Sequence, residues 1–214
     1  GAGDWAAVIE PLASDGRVCA YDRAGRGSSD PAPSDGRTIA DQAADLRALL
    51  DAAGETGPFV VVGHSFGGDV ARVFGDRYRD DVAGLVLVDS FSPDLEVDAV
   101  HPLLGALRPE YEARLDSLRS TVAAVEGLDW PTSEAELRET DLRGLPIEVL
   151  RAPRADPRLD DATNAAIEAA VVARNEALSP GHVHYELAWG AGHVIQNDRP
   201  DLVIAAVRRL ADGT

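Results

Sequence analysis

The chain has 214 residues, of which 45% are hydrophobic, and a formal net charge of −17 at pH 7. This length fits one domain with a buried core. An acidic surface repels phosphate backbones and anionic lipids, so we expect neither nucleic acid nor a membrane as a partner. No apolar run approaches the ~18 residues that a membrane-spanning helix needs, and no signal-peptide pattern is evident, so we expect a cytoplasmic protein.

Short apolar runs alternate with amphipathic stretches along the chain, which is typical of parallel strands joined by helices. Strands are predicted at residues 17–22, 59–63, 84–89, 147–152 and 184–189. Helices are predicted at residues 5–13, 38–53, 67–78, 162–177 and 200–211. The order predicts an α/β fold built on a mostly parallel sheet with helices on both faces.

Residues 92–143 break this alternation, because they carry leucines at helical spacing with no strand between them. The segment predicts a helical lid inserted over one end of the sheet, and an ordinary long crossover is the alternative. No repeat or linker divides the chain, so residues 1–214 are predicted to form a single domain.

The chain contains no Met and opens at Gly1. We therefore expect either a processed N-terminus or a fragment of a longer protein. Cys19 is the only cysteine, which excludes an internal disulfide, and its apolar neighbours predict a small core residue.

The sequence GHSFG at residues 63–67 follows a predicted strand and precedes a predicted helix. This is the G-x-S-x-G pattern of a nucleophile elbow, a sharp turn that exposes its serine at the carboxyl end of a sheet. Ser65 is therefore the candidate nucleophile. Gly63 and Gly67 are expected to remove side chains that would collide in the turn. The N–H of Phe66 would stabilise an oxyanion at the helix N-terminus.

His193 follows the last predicted strand and is the candidate base for Ser65, which needs an imidazole to remove its proton. His64 is expected to pack inside the elbow, and His101 lies in the predicted lid. His182 and His184 share one face of a strand, but no further ligand accompanies them, so we predict no metal site.

The acid that orients the imidazole has two candidates. Asp156 follows the strand predicted at residues 147–152 and is favoured. Asp89 ends the strand predicted at residues 84–89 and is the alternative, since both lie at the carboxyl edge of the sheet. Asp160 and Asp161 are expected to begin the next helix instead, where carboxylates suit the dipole.

Together these motifs resemble the α/β-hydrolase superfamily. The resemblance rests on YDRAGRGSSD at 21–30, GHSFGG at 63–68, LVLVD at 85–89, GHVIQ at 192–196 and DRP at 198–200. It implies an eight-stranded, mostly parallel sheet with about three further strands ahead of Gly1, so the fold is expected to be N-terminally incomplete. By the same resemblance, Ala2 would supply a second oxyanion N–H, and the acid occupies the position of Asp156 in many members and of Asp89 in others.

The expected activity is that of a serine hydrolase acting on a small-molecule carboxylic ester through Ser65, His193 and either Asp156 or Asp89. Thioester, lactone and amide substrates stay open, as do cofactor-free haloperoxidase and C–C hydrolase reactions. No cofactor is expected. Two alternatives remain, namely a ligand-binding protein that keeps the hydrolase fold without turnover and an inactive fragment of a larger hydrolase.

Overall fold

In the computed structural model, which describes residues 1–90 and 93–213 without the side chains of residues 93–96, four strands form one parallel sheet. The spatial order follows the chain: β1 (Phe59–His64), β2 (Val82–Val88), β3 (Ile147–Arg151) and β4 (Val183–Leu187). Every neighbouring pair is parallel, so the carboxyl ends of the four strands meet at one edge.

Nine α-helices surround this sheet within the described residues. They are α1 (Ala6–Leu12), α2 (Ile39–Ala53), α3 (Phe66–Arg77), α4 (Pro93–Val100), α5 (Arg108–Glu126), α6 (Trp130–Glu139), α7 (Asp161–Glu176), α8 (Ile195–Asp198) and α9 (Pro200–Asp212). The predicted alternation of strands and helices is therefore present from β1 onward.

Two apolar cores lie on opposite faces of the sheet because successive side chains of a strand point in opposite directions. Leu85 and Leu87 of β2 join the core beneath α2 and α3, where Phe74 is fully buried. Val86 and Val88 join the other core, which α1 and α9 cover. Both faces of the central strands are thus sealed from water, which explains their continuous apolar sequence.

Helix α6 is tied to the body of the domain rather than standing free of it. Its Ser133 Oγ accepts the N–H of Ile39 at 3.2 Å, and its Glu136 accepts the N–H of Ala40 at 3.0 Å. These are two N–H groups of the first turn of α2, which have no partner within their own helix. Trp130 of α6 also packs into the core beneath α2 and α3.

The lid predicted at residues 92–143 begins at Ser92, which lies outside the described residues. The described part consists of helices α4, α5 and α6 with two short 3-10 turns. Val100 and Leu104 pack against Val171 of α7 in a small third cluster. These contacts anchor the segment on α7 and on α2.

The strand predicted at residues 17–22 is wrong. In the part of the chain that the structure describes, these residues pair with no strand, because β1 makes its ladder with β2 alone. Val18 still packs against the core that α1 and α9 cover, but Cys19 is exposed, with Sγ 3.9 Å from Glu55 Oε1. The prediction of Cys19 as a core residue is also wrong, since an extended chain with one packed face turns its alternate side chains outward.

The predicted fold class is confirmed, with a parallel sheet between two helical layers. Among the described residues, no helix combines the length and the hydropathy required to cross a bilayer.

We expect Phe74→Ala to lower the free energy of unfolding by about 3–5 kcal/mol, because it leaves a cavity in the main core. Leu118→Ala, at a side chain of α5 that is 41% exposed, should change it by less than about 0.5 kcal/mol. Urea unfolding followed by tryptophan fluorescence measures both values. Equal effects of the two substitutions would contradict the assignment of the core.

Candidate active site

The carboxyl edge of the sheet holds the predicted nucleophile next to an acidic residue. The hydrogen-bond ladder continues one residue past the strands: Ser65 N–H donates to Val88 O at 3.0 Å, and Asp89 N–H donates to Leu150 O at 2.7 Å. Ser65 and Asp89 are also the described non-glycine residues with positive φ, at 51° and 40°. Both strand ends therefore turn sharply, and such backbone strain concentrates at functional sites.

The turn at Ser65 depends on two glycines, of which the sequence identified only one. A Cβ at Gly63 would overlap the Gly67 carbonyl, and a Cβ at Gly68 would overlap the Ser90 side chain. A Cβ at Gly67 would meet only Arg23 Nη1, at an ordinary 3.6 Å. The expectation that Gly67 is needed to avoid a collision is therefore wrong, and Gly68 takes that role.

Phe66 begins helix α3 directly after Ser65. Its N–H belongs to the first turn, where helix geometry supplies no acceptor and the dipole favours negative charge. The ring of Phe66 is buried, and the guanidinium of Arg23 lies 5.3 Å from its centroid. The backbone of Phe66 is thus firmly placed beside the serine.

His193 and Asp89 are hydrogen-bonded, with 2.6 Å between His193 Nδ1 and Asp89 Oδ2. The carboxylate is the acceptor, so Nδ1 carries the proton and Nε2 of the neutral ring keeps its lone pair. This tautomer is the one that a general base for a serine requires. The His193 side chain is half exposed, whereas that of Asp89 is buried.

Asp89 is held as an anion by several donors. Ala152 N–H donates to Oδ1 at 3.1 Å, and Arg154 Nη2 donates to Oδ2 at 2.6 Å. Burial acts to raise the pKa of Asp89, but the hydrogen bond from His193, the charge of Arg154 and the Ala152 amide together lower it. The carboxylate is therefore ionised throughout the neutral range.

Asp156, the favoured acid in the sequence, does not bond to His193. Its carboxylate accepts hydrogen bonds from Arg158, which lower the pKa of Asp156 to about 2. Its backbone N–H and C=O both bond to the side chain of Asn164 in α7, which holds the loop in place. The structure thus brings the alternative acid, Asp89, to the imidazole. Asp160 caps α7, as expected, and accepts the N–H of Thr163 at 2.6 Å.

His64 contacts the loop that carries His193. Its Nε2–H donates to the His193 carbonyl at 2.7 Å, and the two ring centroids are 4.6 Å apart. Burial is the main cause that lowers the pKa of His64, so this ring is neutral at pH 7. On the other side, Asp198 accepts the N–H of Gly192 at 2.8 Å. The sequence suggested only packing for His64 and did not indicate its hydrogen bond to the His193 carbonyl, which joins two distant segments of the chain.

The predicted oxyanion role of Ala2 does not fit the structure. Its N–H donates to Asp22 Oδ1 at 2.7 Å, and Asp22 also accepts the N–H of Ser28 at 3.0 Å. These two backbone donors lower the pKa of Asp22, so the carboxylate is charged. A donor that is bound to an anion is not available to a second one.

His184 of β4 is engaged by charged side chains. His184 Nδ1 lies 2.8 Å from Glu148 Oε2, and Arg209 binds the same carboxylate. Among the side chains of residues 1–90 and 97–213, no three of His, Cys, Asp or Glu are grouped so that they could bind a metal ion.

Residues 1–193 match the family model described as the alpha/beta hydrolase fold. Because the match covers most of the chain and includes the elbow and His193, this protein belongs to the alpha/beta hydrolase family.

Among curated relatives, lipase LipV of Mycobacterium tuberculosis is 41% identical over 108 residues, which are 48% of this chain and 40% of LipV. A thermophilic esterase from Thermogutta terrifontis, solved with malate bound, superposes with a TM-score of 0.62 at 25% identity, covering 99% of this chain and 85% of that one. An epoxide hydrolase from Bacillus megaterium superposes with a TM-score of 0.61 at 15% identity, covering 99% and 89%, which is a likeness of fold alone.

The chain spans between 12% and 40% of the length of the curated relatives that it matches. Those relatives therefore support the family and leave the activity of this chain to be argued from its own site.

We expect Gly68→Ala to lower the free energy of unfolding by more than about 2 kcal/mol, because the new methyl group overlaps Ser90 in a packed turn. Gly67→Ala should change it by less than about 1 kcal/mol in either direction, since the methyl group meets only ordinary contacts and Ala suits a helix. Thermal unfolding followed by circular dichroism compares the two. Similar losses of stability in both variants would contradict the assignment of the close approach to Gly68 rather than Gly67.

Proposed function

We propose that this protein is a serine hydrolase that cleaves a small-molecule carboxylic ester, with Ser65 as nucleophile, His193 as base and Asp89 as the acid. The observation that carries the proposal is the 2.6 Å hydrogen bond from His193 Nδ1 to the buried Asp89, one strand away from the strained Ser65. That bond fixes the tautomer in which His193 Nε2 can accept a proton.

In the first half of the reaction, Ser65 Oγ attacks the ester carbonyl carbon while His193 Nε2 takes its proton. The imidazolium that forms is stabilised by the Asp89 carboxylate. The carbonyl oxygen becomes an oxyanion, which the Phe66 N–H stabilises at the start of α3. The tetrahedral intermediate collapses when His193 returns the proton to the leaving alcohol, and an acyl-enzyme on Ser65 remains.

The second half repeats these steps with water as the nucleophile. His193 takes a proton from the water, which attacks the acyl carbon, and then returns the proton to Ser65 Oγ as the acid product leaves. Asp89 stays ionised throughout and only orients and stabilises the ring.

We also propose that helices α4 to α6 form the lid that shapes the acyl pocket. Glu126, the last residue of α5, binds Arg23 with 2.6 Å between Oε1 and Nη2, and Arg23 covers the ring of Phe66. Arg23 therefore links the end of α5 to Phe66, the residue that follows the nucleophile. A segment tied to the elbow in this way would border the substrate.

One observation favours the alternative of ligand binding without turnover. The Ala2 N–H is bound to Asp22, so Phe66 would act as a single oxyanion donor. Loss of one such donor costs hydrolases about 10²–10³ in kcat. A slow enzyme or a binding protein with the hydrolase fold would both fit this state.

We expect a fluorophosphonate to add covalently to Ser65, because the reagent needs an activated serine and a base but little selectivity for the acyl group. Intact mass spectrometry should show one adduct on the parent protein and none on Ser65→Ala.

His193→Gln is the matched control, since it removes the base and leaves Ser65 in its turn; it should label at least about 10²-fold more slowly. A folded parent that takes up no reagent would contradict the proposed hydrolase function and favour ligand binding without turnover.

We expect Asp89→Asn to lower kcat/KM for p-nitrophenyl acetate by about 10³–10⁴-fold, because the amide cannot hold the required tautomer or stabilise the imidazolium. Asp156→Asn should retain activity within about threefold, since Arg158 is its partner. Steady-state hydrolysis measures both variants. The reverse order of effects would return the role of the acid to Asp156.

A further inference from the structure

One oxygen of the Asp89 carboxylate receives two donors that both can be cationic. Arg154 Nη2 and His193 Nδ1 each lie 2.6 Å from Oδ2, while Oδ1 accepts only the Ala152 N–H among the contacts of the described residues. The proposed mechanism assigns no role to Arg154, which follows β3 at the same sheet edge. The side chain of Arg154 is 47% exposed and that of Asp89 is 1% exposed.

The shared oxygen makes the two donors electrostatic competitors. A guanidinium is charged at every relevant pH, so it neutralises much of the Asp89 charge before His193 gains a proton. Protonation of His193 would then place a second cation within a few ångströms of the first, and like charges at that distance disfavour the charged form. Because both cationic side chains are about half exposed, solvent screens the repulsion and keeps the effect moderate.

We propose that Arg154 is a positioning residue that holds the Asp89 carboxylate and keeps His193 unprotonated to lower pH than Asp89 alone would allow. The role rests on the proposed function, in which His193 must be neutral to act as a base. It extends the working range of the site toward acid, at the cost of weaker stabilisation of the imidazolium during the reaction.

Besides Asp89 and Arg154, other titratable groups lie around His193 and contribute to its electrostatic surroundings. His64 at the end of β1 lies against the ring of His193, with the two ring planes tilted by 47°, and is kept neutral by burial. Asp198 of α8 binds the N–H of Gly192. Asp4, in the 3-10 helix before α1, acts on His64 and is paired with the amino group of Gly1. Removal of Arg154 leaves all of these in place.

The test is an NMR titration of the His193 ring in the parent and in Arg154→Gln, with His193→Gln to assign the signal. We expect the midpoint of His193 protonation to rise by about 0.5–1 pH unit in Arg154→Gln. This readout follows the ring itself and needs no catalysis, so it stays decisive even if the proposed hydrolase function fails.

Arg158→Gln is the matched control, because it removes an equal charge from the same loop at a side chain bonded to Asp156 and Glu110. The midpoint of His193 protonation in Arg158→Gln should stay within about 0.2 pH unit of the parent. Arg154→Lys, which retains the charge, should bring that midpoint at least halfway back from its value in Arg154→Gln toward that of the parent. An unchanged or lower midpoint in Arg154→Gln, or an equal rise in Arg158→Gln, would overturn the inference.

The rate of fluorophosphonate labelling against pH links the titration to Ser65. Between pH 8.5 and pH 6, the labelling rate of Arg154→Gln should fall about threefold to tenfold more than that of the parent. A uniform loss at every pH would instead show that Arg154 acts only on structure, and would overturn its role in setting the protonation range. A parent that does not label contradicts the hydrolase proposal and leaves the NMR result to decide on Arg154.

Discussion

The site depends on the hydrogen bonds of the Asp89 carboxylate, because they join the chain after β2 to the segments that follow β3 and β4. Asp89 directly follows β2. Its carboxylate accepts the N–H of Ala152 after β3 and the guanidinium of Arg154 two residues further on, and it bonds the imidazole of His193 in the loop after β4. A buried carboxylate is stable only with such donors. The need to satisfy this one charge therefore fixes the positions of Ala152, Arg154 and His193 relative to the strand that neighbours Ser65.

Local patterns were enough to predict most of the elements and the sharp turn that holds the candidate nucleophile. The strand, turn and helix around Ser65 are encoded in the continuous stretch of residues 59–77, so periodicity and the GHSFG motif identify them. The acid was harder, because Asp89 and Asp156 both follow strands that end at one edge. The two differ in their partners. Asp89 bonds to His193, whereas Asp156 bonds to Arg158 and Asn164. Contacts between distant segments leave no mark on local spacing.

The same limit explains the other differences between sequence and structure. Gly67 lies in the motif, but the close approach that excludes a side chain is between Gly68 and Ser90, which are 22 residues apart. Residues 17–22 have the composition of a strand, yet a strand exists only where a neighbour supplies the ladder. Cys19 is exposed as a result. Helix α6 likewise carries no sequence signal that its Ser133 and Glu136 bind the first turn of α2.

The hydrogen bond from Ala2 to Asp22 has a consequence for any ligand that approaches this end of the sheet. Asp22 is an anion belonging to the protein itself, and the N–H groups of Ala2 and Ser28 hold its carboxylate in place. An incoming oxygen that uses the Ala2 amide must first displace it, so Asp22 behaves as a built-in competitor with a fixed local concentration. The apparent affinity of such a ligand equals its intrinsic affinity multiplied by the fraction of molecules in which the Ala2–Asp22 hydrogen bond is broken.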